Sequence, residues 1–157
     1  MRELNHQNTI VLVTYSSWTP TLSLVVGILE AFAQKYNIKI RTKDSGKVTK
    51  TDILMSDTIL LVRPYDVSCS DIVAAAKKCG KFLIVYLDDD LLNIPDLYSS
   101  PLRTWISRIL KSKNQRALRR CLEGCDILWG SNLFLLRKYE EYVHSGKCVK
   151  TDVVADI

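Results

Sequence analysis

The chain has 157 residues, 47% hydrophobic and 25% charged, with a net charge of +5. That is the size and balance of one ordinary globular domain, and it excludes a disordered, collagenous or low-complexity chain. The longest clean apolar run, Phe82 to Leu87, is six residues, far short of the roughly 20 that span a bilayer, and the polar start MRELNHQNT shows no signal peptide.

Thr9 to Tyr15 (TIVLVTY) is an uncharged, β-branched run that reads as a strand buried on both faces. Thr19 and Pro20 open a helix to about Tyr36, with Leu24, Ile28, Ala31, Phe32 and Lys35 at helical spacing. Ile38 to Thr42 reads as a second strand, Lys43 to Lys50 as a loop, and Asp52 to Met55 as a short helical turn. Thr58 to Arg63 is a third strand, stopped by Pro64. Ser68 or Ser70 is placed to cap a helix through Lys78, with Gly80 as its stop. Lys81 to Leu87 is the fourth strand, and Asp88-Asp89-Asp90 follows it directly. From Pro101 a helix begins whose apolar stripe slips at Lys111 to Asn114, which predicts a kink or two helices. Asp126 to Trp129 is a fifth strand, Asn132 to Val143 a helix, and Cys148 to Val154 a sixth strand.

Strands and helices alternating with short connections predict an α/β fold: a Rossmann-like, doubly wound, mostly parallel sheet with helices on both faces. Ligands of such sheets bind beyond the carboxyl ends of the strands. The positions to inspect are therefore Tyr15, Ser16, Ser17 and Trp18, then Arg63 and Tyr65, then Asp88 to Asp90, then Ser131 and Asn132. Thr151 to Ile157 reads as a strand and its exit with nothing packed after it, so Ile157 reads as a domain boundary.

Several chemistries lack their residues. No GxGxxG, GxxxxGK[ST] or GxSxG is present, and His6 and His144 are isolated. The five cysteines form no CxxC, and although Cys121 and Cys125 share a helical face they lack two further ligands, so they read as buried thiols. Three consecutive carboxylates after a buried strand are costly without a cation or donors beside them. In extended geometry Asp88 and Asp90 would point one way and Asp89 the other. They could hold a metal with a diphosphate, act as a base towards a hydroxyl, or cap the next turn and pair with the basic helix. Ser131 and Asn132 read as the cap of the next helix or as part of the cleft. Between Ser99 and Leu122 lie Arg103, Arg108, Lys111, Lys113, Arg116, Arg119 and Arg120 with no acid, a local +7 that leaves −2 for the remainder. That segment is either a solvated helix face or the contact for an anionic partner.

In this context the string Gly80-Lys81, Phe82 to Leu87, Asp88-Asp89-Asp90-Leu91 and Pro95, preceded by Ile59 to Pro64, resembles the N-terminal domain of group-1-type bacterial glycosyltransferases of GT-B architecture. Cys125-Asp126-Ile127-Leu128 followed by Ser131, Asn132 and Leu133 continues the likeness, which is specific from Leu61 to Leu136. It departs from the family where a glycine-rich loop would follow the first strand, where Asn132 replaces a threonine, and in lacking a late Pro-Asn. The resemblance implies an acceptor-binding half of a hexosyltransferase-type enzyme, inactive alone. Its partners would be a C-terminal nucleotide-sugar-binding domain and a glycan or lipid-linked acceptor.

Under that reading Asp88, Asp89 and Asp90 are the catalytic candidates, and Tyr15, Ser16, Arg63, Tyr65, Ser131 and Asn132 line the acceptor site. Arg103, Arg108, Lys111, Arg116, Arg119 and Arg120 would meet an anionic acceptor or the inner membrane surface of the cytoplasm. No cofactor, metal or specific nucleic acid is expected of this domain. Two alternatives stand beside it. One is a GT-A-like transferase with Mg²⁺ or Mn²⁺ on Asp88 and Asp90; the other is a non-catalytic, flavodoxin-like binding module.

Overall fold

The structure, a computed structural model, describes residues 9–17, 19–93, 101–144 and 146–151, with 101–107 described for their backbone alone. Six strands form one sheet: Thr9–Tyr15 (β1), Ile38–Asp44 (β2), Thr58–Val62 (β3), Phe82–Leu87 (β4), Ile127–Gly130 (β5) and Lys147–Lys150 (β6). Their order is β2-β1-β3-β4-β5-β6, and every neighbouring pair is parallel. The expected Rossmann-like α/β sheet is thus present, and it is parallel throughout.

The helices are Pro20–Tyr36 (α1), Lys50–Leu54 (α2), Val67–Lys78 (α3), Pro101–Gly124 (α4) and Leu133–Tyr139 (α5). The chain steps one way from β1 to β2 and the other way from there on. Right-handed crossovers therefore put α1 on one face and α2 to α5 on the other. Strand alternation divides the core accordingly. Leu12, Ile59, Leu61, Leu83, Val85, Leu87 and Leu128 lie under Ile53 of α2, Cys69 and Val73 of α3, Leu118 and Leu122 of α4, and Leu136 and Tyr139 of α5. Val11, Val13, Leu60, Val62 and Tyr86 face the other way, under Leu22 and Val25 of α1. Fully removing such side chains from water contributes about 1.5–3 kcal/mol apiece.

The helix ends follow local chemistry. Thr19 caps α1, Pro20 takes its first turn, and Asn37 closes it at φ 54°. α3 is capped by Asp66, not by Ser68 or Ser70: Asp66 Oδ1 accepts from the Cys69 N–H at 2.8 Å, while the Ser70 hydroxyl turns back to the Val67 carbonyl. A carboxylate three residues upstream of the first free N–H groups is the stronger acceptor. Gly80 stops the segment at φ 63°, a left-handed conformation that suits glycine.

Four expected boundaries move. β2 runs on to Asp44 and a 3₁₀ turn covers Ser45–Lys47, so little of the expected loop is irregular. α2 starts at Lys50 because Thr49 and Asp52 form a reciprocal capping box. α5 ends at Tyr139 and passes into a 3₁₀ turn over Glu140–Tyr142. β6 is Lys147–Lys150, with 152–154 of the expected strand outside the described residues.

α4 is one continuous helix, without the break expected at Lys111 to Asn114. Among its described side chains the first buried one is Ala117, and 108–110, 112 and 113 are exposed, so no unbroken core stripe is required there. At its end Gly124 lets α4 come close to α3, since a Cβ there would lie 2.4 Å from Val73 Cγ1. Among the described residues no helix is long and apolar enough to cross a membrane.

Candidate functional site

The strand order reverses between β1 and β3, and the crevice beyond their carboxyl ends is where such a sheet offers a site. Arg63 stands there, directly after β3, with φ 49°. A left-handed conformation is uncommon for a non-glycine residue and is held here by the Arg63 N–H donating to the Tyr86 carbonyl at 3.0 Å. It aims the guanidinium along the end of β4, placing Nε 3.5 Å from Asp88 Oδ1 and Nη2 3.1 Å from Asp89 Oδ2. On its other side Asp88 Oδ2 accepts from the Thr21 hydroxyl in the first turn of α1. Asp88 Oδ1 is buried without a hydrogen-bond partner.

The three carboxylates do not alternate as the extended reading expected. The chain bends after Leu87, so Arg63 meets both Asp88 and Asp89 while Asp90 turns to α5. Asp90 accepts from Lys138 Nζ at 2.6 Å, Tyr139 Oη at 2.8 Å and Asn93 Nδ2 at 3.0 Å. Partial burial raises its pKa, and the bonds from Lys138, Tyr139 and Asn93 outweigh this and hold it below the usual carboxylate value. Tyr139 Oη also accepts from the Leu92 N–H at 3.0 Å. Asp90 is therefore a clamp between the loop and α5. A metal pair made of Asp88 and Asp90 does not fit, because the two carboxylates are engaged by different elements. Among the described residues the carboxylates meet Arg63 and Lys138, where the basic helix was the expected partner.

The remaining expected residues separate into two groups. Ser16 stays at the crevice: its hydroxyl accepts from the Tyr65 N–H at 3.0 Å and lies 3.5 Å from Cys69 Sγ. Asp66, beside it, is buried enough to raise its pKa, yet hydrogen bonds from Ser16, the Cys69 N–H and Ser45 bring it below the usual value. Tyr65 packs against the larger core and Tyr15 against the smaller one, so the two lie on opposite faces of the sheet. Asn132 is the helix cap, its side-chain oxygen accepting from the Phe134 and Leu135 N–H groups. Ser131 bonds to the Tyr86 phenol, whose pKa burial pushes up, with the nearby Asp88 charge adding to the rise.

On α4, Arg108, Arg116, Arg119 and Arg120 are exposed and Lys111 is half-buried; the Arg103 side chain, Trp18 and Pro95 lie outside the described residues. Arg119 stacks over the Tyr142 ring at 5.5 Å, and Arg116 Nε donates to the Ser112 carbonyl. Cys69, Cys121 and Cys125 are buried thiols as expected, whereas Cys79 is half-buried and Cys148 exposed. Thr21, Tyr86, Lys138 and Tyr139 escaped the sequence reading. Thr21 alone left a signal, as a hydroxyl residue beside the proline that opens the helix after β1.

The chain matches no protein-family model and no curated protein. Among solved structures it is similar to a cysteine desulfurase from Thermococcus onnurineus NA1. The identity is 14% and the TM-score 0.38, over 56% of this chain and 24% of the desulfurase chain. A likeness of that size carries no argument about chemistry.

Proposed function

We propose that this chain is the acceptor-binding domain of a two-domain glycosyltransferase of GT-B architecture. The enzyme would move a sugar from a nucleotide donor, held by a second domain, to a glycan or lipid-linked acceptor. The reading is supported by one observation above the others. Asp88 closes the central strand β4 with one oxygen buried and without a hydrogen bond, beside a left-handed Arg63 at the crevice. That oxygen is the acceptor for a hydroxyl proton, and Arg63 compensates the carboxylate without consuming it by a hydrogen bond. Thr21 fixes the carboxylate plane from the opposite side. Asp89, more exposed, keeps Arg63 in place, and Asp90 supports the loop from behind. The enzyme works in the cytoplasm, with the cations of α4 resting against the inner membrane face or an anionic acceptor.

The test begins with the reading frame beyond the codon for Ile157. A two-domain enzyme requires about 150–200 further residues forming a second α/β unit, and a stop codon there overturns the proposal. In the longer protein Asp88→Asn lowers kcat by about 10²–10⁴-fold, the range of lost general-base catalysis, with donor KM unchanged. Full kcat in that variant overturns the assigned role.

A further inference from the structure

α1 has two apolar faces. The sheet-facing side buries Leu22 and Val25 and packs Val26 and Leu29 on the smaller core. On the neighbouring flank Thr21, Leu24, Ile28, Ala31, Phe32 and Lys35 recur every three or four positions and so share one side of the helix. Thr21 fixes the direction of this flank, because its hydroxyl reaches Asp88 at the end of β4. β4 lies beyond β3, on the side away from β2. The flank therefore overlooks the start of β4, β5 and β6; α1 covers β4 only at Tyr86, which is buried, and among the described residues no other helix lies over those strands on this face. The right-handed β1-α1-β2 crossover gives the same orientation.

Alternation and register place Phe82, Ile84 and Tyr86 of β4, Ile127 and Trp129 of β5, and Lys147 and Val149 of β6 on the floor beneath. Tyr86 and Trp129 meet edge to face at 4.8 Å. Leu24, Phe32, Tyr36, Phe82 and Val149 are between 38% and 57% exposed. A helix that covers a sheet is ordinarily polar outside. The charges of the 17-residue α1 are Glu30 and Lys35 alone. Wall and floor together make an apolar trough of the kind that marks an interaction site.

The charges at its ends give the occupant a direction. α1 runs against the strands, so the trough has Lys35, whose ammonium lies over the Tyr36 ring, and Lys147 at its lower end, while Asp88 near its upper end is already paired with Arg63. Lys147 has no ion-pair partner among the described residues. A helix laid in the same sense as α1 brings its negative C-terminal end to the two lysines. We propose that this trough seats an amphipathic α-helix of another polypeptide segment, lying parallel to α1, with its apolar stripe on Ile84, Trp129, Val149, Leu24, Ile28 and Phe32 and with acidic side chains in its last turn. A second copy of α1 is a poor occupant, because its own last turn carries Lys35. An anionic membrane is poor as well, since the cations sit at one end and do not ring the patch.

Two synthetic 18-residue helical peptides with the same leucine stripe test this on the chain of residues 1–157 by fluorescence anisotropy. One carries three glutamates in its last turn; the other carries them in its first turn and lysines in its last. The first should bind about tenfold more tightly, a preference of electrostatic origin that fades with salt. Phe32→Glu and Val149→Glu, both at exposed positions and checked for folding by circular dichroism, should each abolish binding. Lys35→Glu with Lys147→Glu should reverse the preference. Equal binding of the two peptides overturns the proposal, as does binding indifferent to Phe32→Glu and Val149→Glu. Self-association of the chain, or binding to vesicles, that those same two substitutions remove would assign the trough to another occupant and overturn it too.

Discussion

Asp52 keeps a full charge although it is only 5% exposed, because donors surround it. Lys43 Nζ lies 2.6 Å from Oδ2, the Thr49 hydroxyl and N–H donate to the same oxygen at 2.6 and 2.8 Å, and Arg41 stands 3.5 Å from Oδ1. The bond from Lys43, followed by those from Thr49, drives its pKa far below the ordinary carboxylate value, against the upward pull of burial. A depressed folded pKa stabilises the protein above the unfolded value of about 3.9. The contribution is lost as pH falls below about 4 towards the folded pKa. Asp52→Asn should therefore cost about 1–3 kcal/mol at neutral pH, the price of leaving buried donors badly matched. The gap between variant and parent in urea titrations should narrow below about pH 4; a gap that stays constant to pH 3 would contradict this account. Part of this was legible, because Thr49-x-x-Asp52 has the spacing of a capping box; the partners Arg41 and Lys43 come from the preceding strand, and no local periodicity encodes them.

Helix α4 shows where sequence pattern and structure part. Its slipping apolar stripe is real, but none of residues 108–113 is buried, so no core enforces a stripe there and the helical backbone bonds run through it. In α1 the opposite holds. The stripe of Leu24, Ile28, Ala31 and Phe32 is plain in the sequence, yet it lies on the flank beside the open strands, and the less conspicuous Leu22 and Val25 are buried. Periodicity identifies faces; it does not say which face meets the sheet when both are apolar. The strands were legible because four of them are continuous apolar runs. Arg63 and the Asp88–Asp89 pair were legible as positions after strands, whereas the separation of Asp90 required knowing that the chain bends at once after Leu87. The basic residues of α4 carry a prediction at this scale. Each Lys or Arg near an anionic bilayer contributes about 1 kcal/mol. Replacing Arg116, Arg119 and Arg120 by Glu should therefore lower partitioning onto phosphatidylserine vesicles by about a hundredfold or more at low salt. Unchanged partitioning, with folding intact by circular dichroism, would remove membrane contact from the proposed function.

For the molecule as a whole, the thiols report how the core holds together. Burial pushes the Cys69 and Cys125 thiols up to about 12, and that of Cys121 well above its usual value. Reactivity needs the thiolate, so these three should resist iodoacetamide at pH 8 and react together as the protein unfolds, while the more accessible Cys148 and Cys79 react in the native state. Mass spectrometry of partly alkylated protein separates the cases; early labelling of Cys69 without global unfolding would show the α3 layer opening by itself. The sheet order has a further consequence, for synthesis. β1 is an uncharged, β-prone segment with a partner on each side, and its Val11 aligns with Ile40 on one edge and Thr58 on the other. A nascent chain can close β1, α1 and β2 first, but the second edge of β1 stays open until β3 has emerged from the ribosome. At about 5–20 residues per second that interval lasts a second or more. Over that time an unpaired, apolar strand edge is available to chaperones and to neighbouring nascent chains alike. Synonymous codons that slow translation between Asp44 and Thr58 would lengthen the exposure without altering a single contact of the finished fold.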